Sequence, residues 1–177
     1  EWEKAARARL SRSGSPDPGT DALLLLAGAL GVERGSLLFH RDDFLSEEQF
    51  TLLEEQLARR EGGEPLQYVQ GVAYFMGLEF LVDRRVLIPR QDTETLCELA
   101  LSRIKPGESV LDLCTGSGAL AVTIARRGRA RVTGADISAD ALRVARENAA
   151  RNEASVRWVC GDLFDAVAQE DFDAIVC

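Results

Sequence analysis

One histidine and four cysteines are little to build a metal centre from, and none stands at a ligand spacing. Cys97, Cys114, Cys160 and Cys177 are scattered singly, so neither a zinc site nor a disulfide framework is expected. Long apolar runs are also missing. The longest candidate, Ala22–Leu30, falls short of the ~20 residues that span a bilayer, and no basic-then-apolar leader precedes it. Positive charge is scarce as well: 21 lysines and arginines face 29 acids, for a net charge of −8. Residues 1–64 hold 13 of those acids and 8 of the bases, so both halves are acidic and neither offers a broad footprint for a nucleic-acid backbone. Arg126, Arg127, Arg129 and Arg131 do cluster, and they read as a solvated helix end and turn. His40, after Leu37-Leu38-Phe39, reads as a surface or capping residue. What is present, 46% hydrophobic and 28% charged residues, describes a cytoplasmic globular protein of one domain or two small ones.

Along the chain the texture changes once. Residues 1–63 read as a small helical bundle. Trp2–Leu10 is helical up to a Ser13–Gly19 breaker, and Thr20 is placed to cap a second helix ending at Leu30 before Gly31. Ser46-Glu-Glu-Gln49 is a capping box opening a helix to about Arg60, on which Phe50, Leu53 and Leu57 share a face. From Pro65 the signals are extended. Gln67–Ala73 and Leu78–Val82 flank Tyr74-Phe-Met-Gly77 and suit a β-hairpin, so residues 64–86 form a hairpin linker. Asp92 or Thr93 then starts a helix running to about Arg103. Residues 87–177 alternate: strand 109–113, helix 118–127, strand 131–136, helix 139–151 capped by Ser138, strand 155–159 and strand 172–176. Alternation of this kind implies an α/β fold, a parallel sheet covered on both faces.

The chemistry concentrates in Ser109-Val-Leu-Asp112-Leu-Cys114-Thr115-Gly116-Ser117-Gly118 and in Gly134-Ala-Asp136. Two apolar strands each end in an acid, joined by a glycine turn and a helix, which is the unit that holds a nucleoside-containing cofactor. Gly116-Ser-Gly118-Ala-Leu-Ala121 also fits the dinucleotide fingerprint with alanine last. A pyrophosphate, however, wants bare amides at a helix N-terminus with no fixed anion beside them. Asp112 is such an anion, suited instead to the ammonium of a methionine moiety, and Asp136 can accept from both ribose hydroxyls. S-adenosylmethionine carries that ammonium, a sulfonium and no phosphate. The alternative is an ordinary turn with two solvated acids.

Glu64-Pro-Leu-Gln-Tyr68…Gly71, Leu87-Ile-Pro-Arg-Gln-Asp-Thr-Glu94 and Asp112-Leu-Cys-Thr-Gly-Ser-Gly118 together resemble the HemK-type protein-glutamine N5-methyltransferases of peptide chain release factors. The resemblance covers essentially the whole chain. It implies a Rossmann-like class I S-adenosylmethionine-dependent methyltransferase domain over 87–177, with the bundle of 1–63 gripping the release factor. The substrate is then the glutamine of that factor's Gly-Gly-Gln loop. By matching position, Cys114, Thr115, Gly116, Ser117 and Gly118 wrap the methionine part, and Asp112 counts with them as cofactor-binding. Asp136 takes the ribose, and Ile137, Asp162 and Leu163 lie against the adenine. Arg90, Thr93 and Glu94 fall beside the cofactor and the substrate's way in. The alternative for that segment is a plain helix start, with Asp92 as cap and Glu94 at the positive end of the helix. Gln91 stands where the family often has proline. Trp158, on an apolar strand, reads as core.

One departure bears on catalysis. In the family, the strand matching Phe172-Asp-Ala-Ile-Val-Cys177 runs into Asn-Pro-Pro-Tyr, whose Asn side chain and first Pro carbonyl hold the substrate amide. An amide nitrogen is a poor nucleophile, so transfer depends on that alignment. No catalytic residue is therefore assigned within 1–177. The resemblance implies a chain continuing for about 90–110 residues, the rest of a domain of usual size. Two other readings stay open: an RNA or DNA amino-methyltransferase, whose exocyclic amine poses the same lone-pair problem, and a non-catalytic fragment that holds the cofactor.

Overall fold

The computed structural model describes residues 1–40 and 42–177, which fall into two compact units, Glu1–Gln70 and Gly71–Cys177. The first is helical: α1 (Trp2–Arg12), α2 (Pro18–Leu30), a 3₁₀ segment (Arg34–His40), α3 (Glu47–Glu61) and α4 (Leu66–Gln70). Their apolar faces meet through Ala6, Leu10, Ala22, Leu25, Leu53, Leu57 and Val69. Two arginines tie the helices across this core. Arg9 reaches Glu54 and Glu61, each at 2.6 Å, and Arg60 meets the buried Asp21 at 2.8 Å. The Ser46–Gln49 capping box forms reciprocally. Three local expectations change. Asp17, not Thr20, caps α2, accepting from the Thr20 amide with Pro18 already in the first turn. Phe50 is 49% exposed while Leu53 and Leu57 are buried, because the core-facing stripe of α3 is narrower than its apolar content. Residues 66–70 are helical rather than extended, since Pro65 supplies a helix start that overrides their β preference. His40 pairs with Asp43 at 2.7 Å.

The second unit begins with the hairpin β1 (Val72–Phe75) and β2 (Leu78–Leu81), so the boundary at Gln70 divides the 64–86 segment between the two units. Met76 and Gly77 both have positive φ, at 51° and 71°, the two-residue turn that matches strand twist. Phe75 and Phe80 are buried edge to face, with ring centroids 6.1 Å apart. Then follow α5 (Gln91–Arg103), β3 (Ser109–Leu113), α6 (Ala119–Gly128), β4 (Arg131–Asp136), α7 (Ala139–Arg151), β5 (Val156–Cys160), a 3₁₀ turn (Leu163–Val167) and β6 (Ala174–Val176). The strands form one parallel sheet in the order β5-β4-β3-β6. Arg90, without a side-chain cap, precedes α5, so Asp92 lies inside the helix and caps nothing. Ser138 does cap α7, accepting from the Ala141 amide.

The two faces of the sheet are unequal. Helices α5, α6 and α7 and the hairpin all pack on the face that presents Val110, Val132, Trp158 and Val176. The other face, with Leu111, Leu113 and Ala135, is covered among the described residues only by Val167, Ala166 and Phe172. Cover on both faces was the expectation; two successive right-handed crossovers instead keep their helices on one side.

A buried side chain ties the hairpin to this layer and to the glycine turn. Asn148, fully buried on α7, accepts from the Leu81 amide at 2.6 Å and donates to the Leu81 carbonyl at 3.0 Å and the Ser117 carbonyl at 2.9 Å. It joins the hairpin, α7 and the glycine turn in one place. Asn148→Ala leaves three backbone groups unpaired in a dry site and is expected to cost ~2–4 kcal/mol. Thermal unfolding of the variant beside Ala150→Ser, a change elsewhere on the same helix, measures it.

Candidate functional site

The carboxyl ends of β3, β4 and β5 converge on a small cleft lined by Leu113, Cys114, Ala135, Asp136, Ile137, Gly161, Asp162 and Leu163. That end of a parallel sheet is where strands release their chains into loops and where α/β folds bind ligands. Ile137 and Leu163 stand 70% and 51% exposed there, two apolar side chains with no core to enter. Asp136 and Asp162 supply the polar groups, and none of the lining residues is basic. Gly161 permits the approach behind them. A β-carbon on it would lie 2.7 Å from Ala166 Cβ, so only glycine lets the 3₁₀ turn fold back and bring Leu163 to the rim.

Beside the cleft runs the turn from Cys114 to Gly118. Cys114 (φ 61°), Gly116 (55°) and Gly118 (79°) all have left-handed backbone, so two of the three positions take the residue that tolerates it, and a cysteine takes the third. Both acids of the motif grip this turn. The Asp136 carboxylate accepts from the Gly116 amide at 2.8 Å and from the Ser138 amide at 2.9 Å. Asp112 Oδ2 accepts from the Thr115 hydroxyl at 2.5 Å and from the Ala121 amide at 3.0 Å. Helix α6 has no cap from its own neighbouring residue, and Asp112 answers one of its free amides from the strand below.

Placement therefore separates the candidate residues. Cys114, Asp136, Ile137, Asp162 and Leu163 line the cleft, and Thr115, Gly116, Ser117 and Gly118 form the turn at its edge. Asp112 is 1% exposed and faces the underside of the turn rather than the cleft. Arg90, Thr93 and Glu94 are not brought to it. Glu94 instead accepts from the Met76 amide at 2.5 Å, anchoring the hairpin turn, while Arg127 donates to the Met76 carbonyl. Arg126 likewise donates to the Asn152 carbonyl, so two of the four clustered arginines bridge backbone. Sequence reasoning missed Asn148, whose amide reaches the Ser117 carbonyl; a buried asparagine on the apolar stripe of a helix was the available signal.

Burial pushes the Asp112 carboxyl up to about 7. The Thr115 and Ala121 hydrogen bonds oppose that shift, and the charge of Asp136 adds to it. Cys114 is also raised, by burial first and then by the adjoining Cys177 thiol. The Cys97 thiol, sealed in the helix layer, is pushed up to about 11 by burial and lies outside the site.

Comparison with known proteins follows this geometry. Residues 1–71 match the PrmC N-terminal domain and residues 110–177 match a methyltransferase domain. The chain is 41% identical to a release factor glutamine methyltransferase of Koribacter versatilis, over 97% of its own length and 63% of that protein. With one from Geobacter sulfurreducens it shares 39% over 96% of itself and 60% of the relative. With one from Vibrio cholerae it shares 44% over 84% and 52%. The chain thus spans about three fifths of the length of the first two. Among solved structures, a Pyrococcus abyssi tRNA (uracil-54, C5)-methyltransferase in complex with S-adenosyl-L-homocysteine superposes with TM-score 0.51 at 18% identity, covering 60% of this chain and 27% of that one. Trm5b from Pyrococcus abyssi gives TM-score 0.51 at 23% identity, covering 59% and 31%. At these identities the likeness concerns the fold alone, a Rossmann-like parallel α/β sheet.

The raised Asp112 carboxyl carries a stability prediction. Between the ordinary value of 3.8 and about 7, the folded chain keeps a proton that the unfolded chain releases. The stability this group contributes is complete below about 3.8 and is lost as pH rises through about 7. Asp112→Asn keeps an oxygen for Thr115 and Ala121 without the buried charge. It is expected to melt higher than the wild type at pH 8 and to flatten the slope between pH 4 and 7, read by thermal scans across that range.

Proposed function

We propose, from the chain's similarity to release factor glutamine methyltransferases, that the whole protein transfers a methyl group from S-adenosylmethionine to a glutamine side-chain amide of a peptide chain release factor. Similarity to curated relatives along nearly all of the chain supports the reaction class, and the PrmC N-terminal domain match supports the protein substrate. We assign the bundle of residues 1–63 to the release factor, residues 64–86 to the connection and residues 87–177 to the cofactor. We place the reaction in the cytoplasm, with the release factor it is proposed to modify.

The observation that carries the cofactor assignment is the character of the cleft. Its polar residues are acids, Asp136 and Asp162, and it has no basic lining residue to neutralise a diphosphate. S-adenosylmethionine, when bound, supplies an electrophilic methyl on a sulfonium and a free ammonium, both cationic. An ionised carboxylate has about four acceptor positions, so Asp136 can keep its two backbone amides and still accept from ribose hydroxyls. Ile137 and Leu163 offer apolar faces for an adenine ring, and the Cys114–Gly118 turn borders the methionine end. Asp112 works from beneath: it holds Thr115 and the first turn of α6 in place. Arg90 and Thr93 remain candidates for the substrate's approach, whereas Glu94 serves through the hairpin it anchors.

Calorimetry on the 177-residue chain tests the cofactor reading. Heat with S-adenosylhomocysteine and none with NADH is the expected result; the reverse overturns it. Asp136→Ala removes acceptors worth ~1.5–3 kcal/mol per bond, so affinity is expected to fall at least ~10-fold. For the substrate, labelled methyl donor is supplied to the whole protein with a release factor or with ribosomal RNA. Label on the factor's glutamine is expected, and label on RNA alone refutes the proposal.

A further inference from the structure

Gly134 is a glycine that backbone conformation does not explain. It lies inside β4, outside the set of positive-φ residues. What it lacks is space: a β-carbon there would stand 2.4 Å from Cζ3 and 2.6 Å from Cε3 of Trp158, and 3.3 Å from Thr115 Oγ1. Gly134 and Trp158 are direct partners across the parallel β4–β5 pair, so the outer edge of the indole's six-membered ring fills the space of its neighbour's missing side chain. The ring then extends to Gly118, where a β-carbon would stand 3.0 Å from Trp158 Cη2 and 3.1 Å from Ala145 Cβ. Trp158 is half-buried and packs with the helix layer, against the cluster that includes Ala119 and Ala121.

We propose that Trp158 is a positioning residue for cofactor binding, a rigid ring that sets the Thr115–Gly118 turn through the edge it seats in the space left by Gly134. The turn's other ties to its surroundings, from Asp112, Asp136, Asn148 and the Ala135 carbonyl, are all hydrogen bonds pulling it toward the sheet or α7. A pull alone does not define a position; a surface to rest on does. The indole edge is that surface, with Cζ3 and Cε3 over Gly134 and the adjoining Cη2 at Gly118. Its flat shape has few rotamers to lose, which suits a buttress better than a flexible aliphatic chain. The role rests on the cofactor assignment given above, but the contact itself does not.

Two readouts keep these apart. The first is hydrogen exchange at the amides of Thr115, Gly116 and Gly118 in the unliganded chain. They donate to the Ala135 carbonyl, the Asp136 carboxylate and the Thr115 carbonyl. The second is the affinity for S-adenosylhomocysteine, measured on variants whose folded fraction is checked by circular dichroism. Gly134→Ala is expected to displace the ring, speed exchange at those amides and weaken binding about tenfold. Trp158→Phe, which keeps a ring over Gly134 but stops short of Gly118, is expected to do so more mildly and to remain folded. In Gly134→Ala/Trp158→Leu the new methyl group meets a smaller side chain, and exchange and affinity are expected to recover relative to Gly134→Ala alone, the mark of coupled sites. Wild-type exchange and affinity in folded Gly134→Ala and Trp158→Phe overturn the proposal, as does a double variant no better than the sum of its parts. If the wild type binds no S-adenosylhomocysteine, the cofactor assignment fails, and exchange at the turn still decides the role of Trp158.

Discussion

The turn from Cys114 to Gly118 is held between two carboxylates, and the rest of the site takes its place from that grip. Asp112 holds Thr115 and the first turn of α6 from below, and Asp136 holds Gly116 from the next strand. A glycine-containing loop has more backbone freedom to lose than any other, so leaving it fixed by propensity alone would cost conformational entropy with nothing in return. The cleft is therefore shaped before any ligand arrives, which lowers the ordering cost of binding.

The grip also explains why two acids in similar sequence settings differ so much. Both close an apolar strand and both precede a helix. Asp136 stands at the cleft with room for further acceptor contacts. Asp112, one strand further in, is sealed beneath the turn, and burial raises its carboxyl to about 7. One acid is thus available to a ligand, and the other is part of the frame that presents it.

A second theme is how the hairpin joins the site without lining it. Glu94, Arg127 and Asn148 hold its turn and its second strand. Asn148 spends its remaining donor on the Ser117 carbonyl. Residues far apart in sequence thereby share one buried amide with the Cys114–Gly118 turn, and a change in the hairpin is felt at Ser117 through that side chain. Buried networks of this kind are stabilising only when every member is satisfied.

Much of this was legible in the residues. The strand–turn–helix alternation of 109–151, the Ser46 capping box and the Ser138 cap are local, because helix caps and strand periodicity depend on neighbours within a few positions. The acids at two strand ends likewise announced where the parallel sheet would open. The structure alone decided which of them faces the cleft, that Glu94 belongs to the hairpin, that the helices of 91–151 share one face of the sheet, and that Gly134 exists for Trp158. Those outcomes turn on contacts between segments 18 to 67 residues apart, where packing and desolvation are set by the folded neighbours rather than by the residue's own chain.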